Sequence, residues 1–184
     1  TWNSSEIKTD MGQISIIRPN SKPAYGALYW QYYEDLDKIT SQSNAALNVN
    51  KELYKEVTTG SGKTLVSITE ITPLTVGDKV IVRLTVKVGN DMEFVQLKDM
   101  RASCFEPVNT TSGTAWSGEA LYYQETRDAS TNFYFDQLRK GVYVFEYQLY
   151  VNRTGEYANG ITTIQCLYSP EFTSHTQGTK VIVK

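Results

Sequence analysis

An all-β chain folded as two antiparallel sheets packed face to face, with about nine short strands, is the architecture this sequence predicts. Three observations carry it. Val80, Val82, Leu84, Val86 and Val88 alternate with Ile81, Arg83, Thr85 and Lys87, the two-residue period of a strand with one dry face. The stretch Phe133 to Val151, FYFDQLRKGVYVFEYQLYV, holds seven aromatic residues in nineteen, and Tyr143, Phe145, Tyr147, Leu149 and Val151 share one face of it. No helical pattern of ten or more residues persists, so the crossover helices of a parallel sheet are missing.

Within the 184 residues, 40% are apolar and 21% charged, enough for one domain with a core that needs neither metal nor disulfide. Eighteen basic against 20 acidic residues leave a formal charge of -2, which offers no footprint for nucleic acid or a lipid surface. Residues 1–23 read as an N-terminal strand and linker from a preceding domain, packed on or near the sandwich, and residues 24–184 as the sandwich domain. A first residue that is not methionine is expected of a piece cut from a longer chain.

In chain order, GQISIIRP after Met11 reads as a strand, and Pro19 to Pro23 as a break. Ring content favours a strand over Tyr25 to Tyr33, while Tyr32, Leu36 and Ile39 allow a helical turn. Val49, Lys51, Leu53, Lys55 and Val57 share a strand face, with the lysines expected near its edge. TTGSGKT breaks that pattern and lacks the first glycine and the following helix of a phosphate loop. The strand at Val80 to Val88 turns at Gly89-Asn90-Asp91 into one whose inner face takes Val95 and Leu97. Asn109 to Gly118, rich in Thr, Ser and Gly, reads as a long loop. Strands are expected at Leu121 to Gln124, Ser130 to Phe135, Gly141 to Val151, Ile161 to Leu167 and Thr179 to Val183.

Catalytic signals are weak. The acids at Glu34, Asp35, Asp37, Asp91, Glu93, Glu119, Glu125 and Asp128 read as solvated turn residues, and His175 has no sequence neighbour that would orient it as a base. Cys104 and Cys166 are either two buried small hydrophobes or one cross-strand disulfide, and a single histidine argues against a metal site. No cofactor and no enzymatic activity are expected. Trp30, Trp116, Tyr122 and Tyr123 are the rings to watch for ligand stacking, with packing onto the sandwich as the alternative for Trp116; on that ligand reading the chain is a carbohydrate-binding or adhesin-like sandwich module.

The ordered series LKDMRASCFEPV, then TRDASTNFYFDQLRKGVYVFEYQLYVNRTGEYANGITTIQCLYSPEFTSHTQGTKVIV, resembles the last, macroglobulin-like domain of bacterial alpha-2-macroglobulins, often numbered ten. GALYWQYYEDLDKI is similar to the start of that domain in Bacteroides-type members, and the resemblance runs from about Ala24 to Val183. It implies a macroglobulin-like or immunoglobulin-like sandwich that rests against a thioester-type domain of a large envelope protein. Such proteins trap proteases after cleavage of a bait region. The partners implied are the other domains of the parent chain and, through the whole protein, host or competitor proteases. The location implied is the periplasm or cell envelope, with any membrane anchor in the part that precedes this chain, and the chain alone is expected to be monomeric. Neither cysteine carries a Cys-Leu-Glu-Gln thioester sequence, since Phe-Glu-Pro follows Cys104 and Leu-Tyr-Ser follows Cys166. In thioester-bearing relatives a loop opening with a Met-Tyr pair shields the thioester. The matching positions are Leu167, Tyr168, Pro170 and Glu171, followed by Phe172, so the resemblance makes them an interdomain or locking loop.

Overall fold

Side chains that alternate along Val80 to Val88 lie almost wholly out of water at every second position, and the same holds for Phe145, Tyr147, Leu149 and Val151. The computed structural model describes residues 2–17, 22–23, 25, 28–29, 31–60, 62–69 and 71–184. They separate into two compact units, Thr1–Tyr33 and Glu34–Lys184.

In the second unit, thirteen strands form among the described residues. One sheet contains β1 (Leu47–Thr59), β2 (Gly62–Ser67), β3 (Lys79–Val88), β5 (Phe105–Pro107) and β9 (Gly141–Val151), in the order β2-β1-β3-β9-β5. The other contains β4 (Met92–Met100), β6 (Gly113–Ser117), β7 (Ala120–Thr126), β8 (Ser130–Leu138), β11 (Thr162–Cys166) and β12 (Ser169–His175), in the order β12-β11-β4-β8-β7-β6. A ribbon of β10 (Gly155–Asn159) and β13 (Thr179–Val183) completes the unit. Every ladder is antiparallel, as expected from chain reversals too short for crossovers.

The inner faces of the two sheets meet in one apolar interior. Phe145 of β9 lies 5.6 Å from Phe133 and 5.3 Å from Phe135 of β8, ring centre to ring centre. Most of the ring-rich stretch is therefore sandwich filling. Both cysteines are buried and free, so the disulfide alternative fails; burial pushes the Cys104 thiol up to about 11.

Inside this interior sits an ion pair. The Lys51 side chain of β1, expected near a strand edge, is only 7% exposed and reaches Asp99 of β4, itself fully buried, at 2.7 Å. The alternation of β1 points Lys51 inward with Val49 and Leu53, and a carboxylate on the facing sheet makes that tolerable. Lys51 Nζ also donates to the carbonyls of Met100 (2.7 Å) and Gly160 (3.2 Å), while Asp99 accepts from the hydroxyls of Thr162 (2.6 Å) and Tyr147. Burial, reinforced by the Asp99 charge, holds the Tyr147 phenol well above its ordinary range.

Several expected elements change. Gly12 to Ile17 forms no strand: residues Thr9–Gly12 make a single 3-10 turn, and Ile14, Ile16 and Ile17 are exposed. The described residues between Tyr25 and Tyr33 are not a strand either, and the rings of Tyr25, Tyr29, Tyr32 and Tyr33 are solvent-exposed. Strand propensity mostly reports packing against neighbouring strands, and among the described residues of the first unit no ladder is present to supply it. Leu36 to Lys38 form a turn, closed by Lys38 N–H on Asp35 O at 2.9 Å, and no helix. The break after β1 is a hairpin into β2, and the Asn109 to Gly118 loop contains β6, joined to β7 by a tight turn in which Gly118 takes φ 57. His175, expected in a loop, ends β12 and pairs with Gln42.

Residues 34–46 are tied to the sandwich by Lys180 to Asp37 (3.0 Å) and by Gly178 N–H to Ile39 O (2.8 Å). A Cβ at Gly178 would overlap the Leu36 carbonyl, which is why glycine stands there.

Replacing Asp99 by alanine leaves a buried ammonium without its counter-ion and is expected to cost about 3–5 kcal/mol, read as a lower urea midpoint. The double change Lys51→Met with Asp99→Leu is expected to recover most of that loss.

A second expectation concerns acid. Burial pushes the Asp78 carboxyl up, but Lys55 at 2.6 Å and the Thr75 N–H at 2.7 Å outweigh it, so its pKa lies below the usual carboxylate value. The contribution is present above about pH 4, the unfolded carboxylate value, and is lost as pH falls through the lower folded value. Unfolding midpoints measured from neutral pH downward should fall less steeply for Asp78→Asn than for the native chain.

Candidate functional site

β11 leaves the core at Cys166, and two residues later the chain returns as β12, so Leu167 and Tyr168 form the turn itself. The register slips between Gln165 and Cys166, a bulge of the kind that re-aims side chains at a sheet edge. Leu167 and Tyr168 are 45% and 78% exposed. The turn is pinned from beneath by β4: Leu167 N–H donates to Phe94 O at 2.9 Å, and the Cys166 thiol to Glu93 O at 3.3 Å.

Phe94 is the residue that sequence reasoning missed. Its φ of 53 is left-handed, the single such value for a non-glycine among the described residues, and a bulky side chain pays a steric cost there. The twist turns Phe94 outward between buried Met92 and Val95, and its ring meets Tyr168 edge to face at 5.1 Å and 87°. Sequence held one signal: Met92 and Val95 are both apolar at a spacing of three, which strict alternation does not allow.

Of the other expected loop residues, Pro170 and Glu171 are exposed in β12, an edge strand where a missing N–H costs nothing. Phe172 leans against the core, and Asn44 Nδ2 donates to Glu171 O at 3.0 Å. Leu167 and Tyr168 thus share an exposed rim with Phe94, while Phe172 anchors the strand behind them.

Among the aromatic candidates, Trp116 on β6 and Tyr123 on β7 are 67% and 47% exposed. Tyr122 points the other way: its ring packs on Phe133, Phe135 and Phe145 at 5.2 to 5.9 Å, a core position rather than an exposed one. Trp30 lies outside the described residues. Among the described residues, no cluster of three or more His, Cys, Asp or Glu side chains suited to a metal occurs and no helix is long and apolar enough to cross a membrane.

Residues 47–171 match the family model described as the bacterial alpha-2-macroglobulin MG10 domain. Among solved structures, Salmonella alpha-2-macroglobulin reacted with methylamine is similar at 16% identity and a TM-score of 0.61, over 80% of this chain and 10% of that one. Escherichia coli alpha-2-macroglobulin activated by porcine elastase has the same identity and TM-score, over 79% of this chain and 14% of that one. At such identities the likeness is one of fold. A Dictyostelium discoideum protein named circularly permutated Ras protein 2 is 27% identical over 169 residues, 88% of this chain and 4% of its own length. The chain therefore spans a small part of each relative.

Tyr168→Ala is expected to change stability by no more than about 0.5 kcal/mol, because the ring is mostly in water. Phe94→Gly, which accepts the left-handed backbone, should be similarly mild, whereas Phe94→Val should cost about 1–3 kcal/mol of added strain. Urea unfolding of the three variants measures all of this.

Proposed function

Because the chain belongs to the bacterial alpha-2-macroglobulin MG10 domain family, we propose that it is the C-terminal docking domain of an envelope-located, Bacteroides-type protease trap. The domain is non-catalytic and macroglobulin-like. In this proposal the rim of Leu167, Tyr168 and Phe94 rests on a neighbouring thioester-type domain of the same parent chain, located in the periplasm or cell envelope, with any membrane anchor in the part that precedes this chain. Proteases are engaged by the assembled protein and released from no chemistry of this domain.

The observation that carries the reading is the exposed apolar turn tied to β4. Two hydrogen bonds from Leu167 N–H and the Cys166 thiol tie the turn to β4, and the Phe94 ring backs Tyr168, so in this proposal docking orders less chain than a free loop would require. An apolar cover of this kind excludes water from a strained acyl bond. Where the parent holds no thioester, the same rim serves as an interdomain contact and protease capture is the readout.

The test is made in the full-length parent protein. Changing Leu167 and Tyr168 together to alanine should shorten thioester lifetime or reduce protease capture about tenfold or more, the size expected for losing a central apolar anchor. Values equal to the native protein in both measurements would sink the proposal.

A further inference from the structure

Pairing of β6 with β7 sets Trp116 opposite Leu121 and Thr114 opposite Tyr123, and pairing of β7 with β8 sets Tyr123 opposite Tyr134. Opposed residues of antiparallel strands share a face, so Trp116, Tyr123 and Tyr134 line one side of three adjacent strands. They border a concavity of about 660 Å³ that is completed by Asp136, Gln137 and Arg139. That volume lies within the ordinary range for small-molecule sites.

The lining combines aromatic rings with charged and amide side chains. Some exposed charges elsewhere are paired, as in Arg83 with Glu146 (2.6 Å) and Lys63 with Glu56 (2.9 Å). Around the concavity, Asp136, Gln137 and Arg139 have neither a hydrogen bond nor an ion pair through their side chains among the described residues. Two lining tyrosines are held: the Tyr134 hydroxyl donates to Glu125 at 3.2 Å, which steadies that ring, and the Tyr143 hydroxyl donates to Arg139 O at 2.9 Å. The core does not need Trp116, because Tyr122 of the same hairpin makes the inward ring contacts.

We propose that this concavity is a saccharide-binding site, taking a neutral, β-linked pyranose chain with its C–H face on Trp116 and Tyr123 and its hydroxyls on Asp136, Gln137 and Arg139. A pyranose with equatorial hydroxyls has apolar faces and a polar rim, and each hydroxyl both donates and accepts. Asp136 accepts, Arg139 donates and Gln137 does both, which matches that rim. A nucleotide base would also stack on Trp116, but its phosphates would meet the carboxylates of Asp136 and Glu119, which lines the same concavity. The site shares no residue with the Leu167 turn, so either proposal stands or falls without the other.

The test is isothermal titration of the 184-residue chain with cellotetraose, whose all-equatorial rings present flat C–H faces. Saturable binding with a Kd below about 1 mM is expected. Trp116→Ala and Tyr123→Ala should each weaken it about tenfold or more, while Trp116→Phe, which keeps a ring, stays within about threefold. Far-UV circular dichroism and unfolding midpoints confirm that the variants keep their fold, and Leu167→Ala with Tyr168→Ala leaves the affinity unchanged. Absence of saturable heat up to about 10 mM ligand overturns the proposal, as does full affinity in both ring-deleted variants.

Discussion

One buried contact sets how the two sheets meet: the Lys51 ammonium of one against the Asp99 carboxylate of the other. A buried ion pair is poor evidence for net stability, since both charges are desolvated to form it. Its weight lies in geometry. All three N–H donors of Lys51 have acceptors and both carboxylate oxygens of Asp99 have donors, drawn from β1, β4, β9, β11 and the turn at Gly160. Apolar side chains tolerate sliding between sheets at modest cost; this network does not, because any other alignment leaves a charge without a partner in a dry interior. The ring cluster of Phe133, Phe135 and Phe145 then supplies cohesion within a register that the polar network defines.

A core fixed in this way can carry strain at its margin. Phe94 follows Glu93 in β4 and lies two residues from Gln96, both of which sit in regular ladders; Val95 is buried and Leu97 fully so. The left-handed residue between them is held by its neighbours on both sides, and its cost of about 1–3 kcal/mol is small beside a core of this size. What the strain produces is a ring turned outward, beneath a turn that would otherwise have no side support. Tyr168 consequently has one face backed by protein and the rest in water, the arrangement of a contact residue rather than of a core residue.

The sandwich was legible where burial enforces a period. Val80 to Val88 and Tyr143 to Val151 line the interior as alternation requires, and Val95 and Leu97 face them. β6 was hidden because Thr, Ser and Gly are turn residues by composition, although threonine suits a strand once β7 lies beside it. At Gly12 to Ile17 the opposite occurred, with isoleucines that have no partner strand among the described residues of their own unit. Lys51 was misplaced because a lysine on a strand face reads as solvated, and nothing local announces that Asp99, far along the chain, will sit across from it. Leu167 and Tyr168 came from resemblance and Trp116 and Tyr123 from ring chemistry; Phe94 required a backbone angle, which no side-chain pattern prints directly.

The domain matches 10% of the solved Salmonella alpha-2-macroglobulin chain, and its second unit builds a core of its own. Its interior closes on itself: the outer edge of one sheet is protected by Pro170 on β12, and the buried Lys51 ammonium is matched within by Asp99. The exposed side chains of Leu167, Tyr168, Trp116 and Tyr123 lie outside the buried core. Substitutions at either place are thereby freed from the demands of folding and answer to what the surface touches. Separation of this kind, with a fixed register inside and strain spent only at the edge, lets surface residues change while the sandwich keeps its shape.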